Sequence, residues 1–447
     1  MLPIADLVDQ LNRGQVTSLE LIERCLEQIA DERGEGPRTI LFCDPEKARF
    51  IAKKIDQLRK SGKFVAPLAG IPISVKDLFD VTGEVTTAGS IFLKKAPPAK
   101  VDAPSIKRLR DAGLILIGRT NMTEFAYSGL GLNAHYGTPR NPFDRKIDRT
   151  PGGSSSGAAV SVTDGMAAAA IGTDTGGSVR IPSALCGLVG FKPTARRIPT
   201  DGVYPLCPSL DSIGPLATTV NCCALLDDVL SGASQTPINS PTVSTLQLAI
   251  PQTLVLNNLD SNVASAFETA VKNLSKAGAK ITDIPFKPLG DIPRINANGG
   301  IYAEAWSVHK EQFYESRQFY DPRVAARIEK TQSITSEEYE AVLRARKILI
   351  AEANRITNNF DALILPTTPS SAPKIIDLEN DSEAYIAMNV RMLRNSFCFN
   401  FLDRCALSIP IHAPGSAPCG LMIVGETMGD RELLGIGQAI EEIVRFS

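Results

Sequence analysis

A chain of 447 residues, 43% hydrophobic and 21% charged, has the make-up of a soluble globular protein long enough to bury a substantial core. Its 47 Lys and Arg against 49 Asp and Glu leave a net charge of −2, which argues against a polyanion-binding surface and so against a nucleic-acid partner. Nothing approaches 18 consecutive apolar residues, so no membrane span is expected.

The chain opens with Asp6 and Asp9 where a signal peptide needs apolar residues, which points to the cytoplasm. Thr17 to Glu20 reads as a capping box, followed by Leu21, Ile22, Cys25, Leu26 and Ile29 at helical spacing. Ala48, Ile51, Ala52, Ile55 and Leu58 mark a second amphipathic helix ending near Gly62. The period then changes: Ile71, Ile73 and Val75 alternate as in a strand, residues 105–112 form a short charged helix, and Leu114 to Ile117 is an apolar run between two glycines. Leu246 to Ile250 and Ala362 to Leu365 read as further strands, and Glu337 to Ile356 as a long helix. This alternation predicts an α/β fold, a single large domain with a central mixed β-sheet covered by helices on both faces. Residues 231–244 read as a surface excursion.

Between about Pro139 and Pro215 glycine, serine and small residues dominate. Gly152-Gly153-Ser154-Ser155-Ser156-Gly157 and Gly172-Thr173-Asp174-Thr175-Gly176-Gly177-Ser178 are joined by an alanine-rich, helix-length segment of about 14 residues. Two such loops suit backbones that must approach a ligand closely. The nine cysteines include no CxxC pair and read as reduced thiols, mostly core filler. No metal site and no cofactor are expected: the chain has no HExxH, EF-hand or GxxxxGK[ST] string.

Gly153 to Gly157 satisfies the GxSxG nucleophile elbow, but an elbow follows a strand directly, and Asp148-Arg149-Thr150-Pro151-Gly152 is turn-like. With only His135, His309 and His412 in the chain, a serine nucleophile with a base other than histidine is the better fit. A lysine serves as such a base when burial lowers its pKa. Lys76 ends the apolar strand Ile71 to Val75, where α/β folds place their sites. Keeping it neutral at pH 7 against a reference near 10.4 costs about 4–5 kcal/mol. Position alone leaves the alternative of a surface lysine paired with Asp77 open.

Gly70-Ile71-Pro72-Ile73-Ser74-Val75-Lys76-Asp77, then Pro151 to Ser155, then Gly172 to Ile181 with Cys186 to Thr194, resemble the amidase signature family in order and spacing. The likeness is close over residues 60–220 and weaker to the end of the chain, through Leu365-Pro366-Thr367-Thr368-Pro369 and Pro418-Cys419-Gly420-Leu421. It implies one domain over 1–447: N-terminal helices to 60, a signature core from 60 to 220, and a substrate-pocket half from 221 to 447. It also implies a Ser–cis-Ser–Lys triad without a cofactor. Ser178 matches the nucleophile, Ser154 the bridging serine whose peptide bond from Gly153 is cis in the family, and Lys76 the base. The backbone N–H groups of Thr175, Gly176, Gly177 and Ser178 would face the oxyanion, and side chains at the two glycines would crowd the substrate. Ser155 is a supporting candidate, either within the site or in shaping its loop. Asp174 and Arg180 would pair with each other or the backbone, Asn121, Met122 and Tyr127 lie in a segment that borders the pocket in relatives, and Cys186 reads as core. Ser156 replaces a glycine common in relatives and would be strained if that position needs positive φ.

The activity implied is hydrolysis of a small-molecule carboxylic amide to the acid and ammonia or an amine, with a homodimer as the assembly. Other readings are the glutaminase component of the glutamyl-tRNA(Gln) amidotransferase, its A subunit, which Asn121 to Ala126 resembles, a hydrolase of urea- or carbamate-type substrates, and an inactive scaffold. The segment from Asp321 to Tyr339 is more similar to the free amidases.

Overall fold

The computed structural model describes residues 1–233 and 238–445. Eleven strands of the described residues form one sheet: β1 (Ile40–Phe42), β2 (Pro72–Lys76), β3 (Ile115–Thr120), β4 (Ala169–Asp174), β5 (Val189–Lys192), β6 (Ser212–Ala217), β7 (Gln247–Pro251), β8 (Lys280–Ile284), β9 (Ala362–Pro366), β10 (Ala406–Pro410) and β11 (Gly420–Val424). Their order is β1-β3-β2-β4-β6-β5-β10-β11-β9-β7-β8. The sheet is mixed, with β2 parallel to both β3 and β4, β7 parallel to β8 and β9, and antiparallel pairs elsewhere.

Strand alternation shows how the two faces are covered. Ile115 and Ile117 pack with Ile22, Cys25, Ala48 and Ala52 of the helices Ser18–Ala30 and Pro45–Lys60, while Leu116 between them packs into the main core. In β4, Ala170 meets Ala158, Ala159 and Val162 of the helix Ser156–Thr163, whereas Ala169 and Ile171 face the main core. An α/β sheet with helices on both sides therefore holds, and the predicted elements fall where their periodicity put them. Thr17 forms the capping box with Glu20, and the charged helix spans Pro104–Asp111. The long helix spans Ser336–Thr357.

The alanine-rich joining segment is not one helix: it divides into the helix Ser156–Thr163 and the strand β4. Every residue from Ser156 to Val162 is buried, and so is the whole of β4, so neither carries the polar face that would set a period. Gly157 allows that helix to lie close: a Cβ there would stand 2.7 Å from both the N and the O of Asn121. Ser156 takes the first helical position and is not among the positive-φ residues, so the strain foreseen for it does not arise. The excursion expected at residues 231–244 includes residues 234–237, which lie outside the described residues; beside them Gly232 caps the helix Val220–Ser231 with φ +72°.

Candidate active site

β2 and β4 run parallel with Val75 opposite Ile171, so their carboxyl ends share one edge of the sheet. Lys76 closes β2, and Thr173 and Asp174 close β4. The Lys76 side chain is wholly buried, and its Nζ donates to Ser154 Oγ at 2.7 Å and to Thr173 Oγ1 at 2.9 Å. Burial pushes its pKa down to about 7, against the opposing pull of the Asp174 and Asp211 carboxylates. The surface-pair alternative falls away, since Asp77 is held by Arg119 at 2.6 Å, both buried. A buried amine, half neutral near pH 7 and bonded to a serine hydroxyl, can take up a proton from it.

The peptide bond between Gly153 and Ser154 is cis. The segment is pinned on both sides: Gly153 N–H donates to Gly129 O at 2.9 Å, and Thr123 N–H to Ser154 O at 3.1 Å. Ser155 is fully buried, with its hydroxyl donating to Thr173 O at 3.4 Å and its N–H to Ser178 O at 3.3 Å. Of the two roles open to Ser155, these contacts match the shaping of the loop, and they bring the backbone of Ser178 against the Ser154 segment. No histidine hydrogen-bonds Ser154, Ser155 or Ser178 among the described residues.

Ser178 ends the loop that leaves β4, and Asp174 organises that loop. Its carboxylate accepts from Gly177 N–H at 2.8 Å and Val179 N–H at 3.1 Å, and it pairs with Arg180 at 2.8 Å, both side chains fully buried. Burial raises the Asp174 pKa, but Arg180, Lys192 and the Asn400 amide outweigh it and hold the group below the usual carboxylate range. Asp174 and Arg180 thus pair with each other and with backbone, as the sequence suggests. The Gly177 N–H, expected at the oxyanion, is instead committed to Asp174, while those of Thr175, Gly176 and Ser178 have no partner among the described residues. The Ser178 hydroxyl is also without a partner, bonded neither to Ser154 nor elsewhere, and its oxygen keeps contact with solvent.

The two loop glycines serve different ends. Gly177 has φ +133°, and a Cβ there would come within 2.1 Å of Ser396 Oγ, so it makes room for the protein's own helix Ser382–Phe401. A Cβ at Gly176 would stand 3.3 Å from Tyr302 Oη and 3.4 Å from Leu393 Cδ2. Tyr302 and Leu393 also line a cavity of about 510 Å³ that runs on to Tyr127, Arg327, Tyr385 and Asn389. Tyr127 therefore reaches this cavity, whereas the Asn121 amide is taken up by Arg38 O and Gly137 O and Met122 is core. Cys186 is buried, and all nine cysteines are free.

Thr173, Tyr302, Arg327 and Asn389 are site-side residues that the sequence reading did not single out. Thr173 stands inside the second glycine motif and Arg327 in the Asp321–Tyr339 segment that resembles the free amidases, so position was a signal for both; Tyr302 and Asn389 lie in helical segments with no local mark of function. Asp211, which accepts from Thr175 Oγ1 and from the N–H groups of Leu206 and Cys207, was equally silent. Among the described residues no group of three His, Cys, Asp or Glu side chains is placed to hold a metal, and no helix is long and apolar enough to cross a membrane.

A sequence model of the family described as Amidase matches residues 20–434. The 2-amino-5-chloromuconic acid deaminase of Comamonas testosteroni is 35% identical over 99% of this chain and 96% of its own length. The A subunit of the glutamyl-tRNA(Gln) amidotransferase of Chloroflexus aggregans is 32% identical over 97% of this chain and 94% of its own. A crystal structure of an amidase superposes with a TM-score of 0.89 at 30% identity, covering 99% of this chain and all of that one. The chain belongs to the amidase family and is an amide-hydrolysing enzyme.

Proposed function

We propose that Ser178 is the nucleophile, Ser154 the bridging acid and base, and Lys76 the base of this enzyme. Neutral Lys76 takes the Ser154 proton as Ser154 takes that of Ser178, whose Oγ attacks the amide carbonyl. The oxyanion lies against the free N–H groups of Thr175, Gly176 and Ser178, each such donor worth on the order of 10²–10³ in rate. Ser154 returns a proton to the departing ammonia or amine, and water then cleaves the acyl-enzyme. The observation that carries this reading is the 2.7 Å bond from a buried lysine, poised near pH 7, to a serine hydroxyl. Ser178 and Ser154 close to hydrogen-bond distance once substrate is bound, as catalytic contacts often do.

In this reading residues 60–220 carry the chemistry and 221–447 build most of the pocket, with the helices of 1–60 packed outside. The enzyme works alone on a small amide, as a homodimer in the cytoplasm; nine free thiols suit that compartment. The test is ammonia release by the purified protein from aliphatic and aromatic amides, urea-type compounds and glutamine, beside Ser178→Ala. Turnover of simple amides that is lost in the variant supports a free amidase. Silence on all but a trace on glutamine points instead to a component that needs a partner.

A further inference from the structure

Among the described residues, Lys76 Nζ hydrogen-bonds two hydroxyls, Ser154 Oγ at 2.7 Å and Thr173 Oγ1 at 2.9 Å. In the proton path above, only Ser154 exchanges a proton with the amine. Thr173 lies within β4 and is 5% exposed, and its hydroxyl bonds to no other group among the described residues. It also lines a cavity of about 170 Å³ with Thr175, Thr200, Tyr204 and Asp211, which gives the hydroxyl an outlet for its own hydrogen away from Lys76. Thr173 Oγ1 is therefore free to act as an acceptor toward the amine.

A neutral amine has two N–H groups and one lone pair. To take the Ser154 proton, Lys76 must aim the lone pair at Ser154 Oγ and place its N–H groups elsewhere, and a buried N–H without an acceptor is costly. Thr173 accepts one of them and so favours the productive rotamer. The bond then strengthens during the reaction: as the amine gains a proton, its N–H to Thr173 becomes charge-assisted and roughly twice as strong.

We infer that Thr173 is a positioning residue that orients the Lys76 amine toward Ser154 and steadies the ammonium it becomes. The inference rests on the reading of Lys76 as base and Ser178 as nucleophile, and adds to it the side chain that holds the base. The charged groups acting on Lys76 are the Asp174 carboxylate at the end of β4 and the Asp211 carboxylate just before β6, and both favour the ammonium. Asp77, the next residue in the chain, is held by Arg119. Thr173→Val leaves all of these in place and keeps the β-branched shape that suits a strand. A change in the pH at which Lys76 titrates therefore reports the hydroxyl.

The experiment follows covalent labelling of Ser178 by a fluorophosphonate, read by intact mass from pH 5 to 9, in the wild type, Thr173→Val and Thr173→Ser. Thr282→Val, the same exchange at an exposed position of the edge strand β8, serves as the control. Three results together support the inference: labelling about 10–100-fold slower in Thr173→Val, a pH midpoint below that of the wild type, and recovery in Thr173→Ser. The midpoint moves down because the hydroxyl favours the charged amine, so its loss favours the neutral one. An unchanged rate, an unmoved or raised midpoint, or no recovery in Thr173→Ser overturns it. Labelling that survives Ser178→Ala overturns the nucleophile assignment instead, and wild-type labelling in Lys76→Ala overturns the base; the inference falls with either. If the wild type is not labelled, denaturant unfolding from pH 5 to 9 decides, each protein against its own Lys76→Met version. A folded pKa below the unfolded one adds stability as pH rises above it, so the gain should set in at lower pH in Thr173→Val. An unmoved or higher onset overturns the inference.

Discussion

Lys76 Nζ lies 2.7 Å from Ser154 Oγ across two segments that are far apart in the chain. The contact exists because Lys76 ends β2 at the edge where β4 also ends, and because backbone bonds from Gly153 to Gly129 and from Thr123 to Ser154 pin that serine beside it. Burial leaves about half of the amine uncharged near pH 7, where an exposed lysine would be almost wholly protonated.

The rate should follow the neutral fraction of Lys76. With its pKa near 7, kcat/KM is expected to rise about tenfold per pH unit below 7 and to level off above it. Initial rates from pH 5 to 9 check this, and Lys76→Ala should lie several orders of magnitude lower. A flat profile through 7 would remove Lys76 as the base.

Stability should carry the same signature. The folded pKa of Lys76 is depressed, so between about 7 and 10.4 the unfolded chain binds a proton that the folded chain does not. Its burial cost is then full below pH 7 and shrinks as pH rises. Relative to Lys76→Met, the wild type should gain up to about 1.4 kcal/mol per pH unit above 7, measured by denaturant unfolding at pH 7 and 9.

Serine variants separate the two glycine motifs. Ser178→Ala should abolish turnover and acyl-enzyme formation, seen as loss of the acyl adduct in the intact mass after quenching. Ser155→Ala, whose hydroxyl only reaches Thr173 O, should keep most of the activity. The reverse pattern would return the nucleophile to the Gly153–Gly157 segment.

Asp174→Asn should destabilise the fold by about 3–5 kcal/mol, because it leaves the wholly buried Arg180 guanidinium without its counter-charge. It also weakens the acceptor that shapes the loop at Gly177 and Val179. Thermal unfolding and residual activity of the refolded variant should fall together.

Gly177→Ala should be inactive, since its Cβ would collide with Ser396 Oγ and its φ of +133° suits glycine alone. Adding Ser396→Gly removes the collision but not the backbone demand, so the double variant should recover little. Full recovery would mean that space alone requires the glycine.

Several features could be read directly because they are local. The capping box at Thr17–Glu20, the strand ending on Lys76 and the two glycine-serine loops depend on neighbouring residues and their spacing. Lys76, Ser154 and Ser178 became legible as a set only through the likeness of their three motifs to the amidase signature family. The alanine-rich segment of about 14 residues between the two glycine motifs reads as one helix-length piece because burial of its helical and strand parts erases the period that tells helix from strand.

By itself, the sequence determined an α/β chain, since periodicity along the chain carries that information, while its likeness to the amidase signature family singled out Lys76, Ser154 and Ser178 and left the burial of Lys76 open. Only the tertiary structure decided what each group touches. It gave Asp77 to Arg119 and freed Lys76 for Ser154, drew the Gly177 N–H to Asp174, and laid the Arg327 guanidinium over the Tyr127 ring. Those outcomes turn on which partner lies within a few ångströms, and the partners come from elements far apart in the chain whose meeting is set by strand order and packing rather than by spacing.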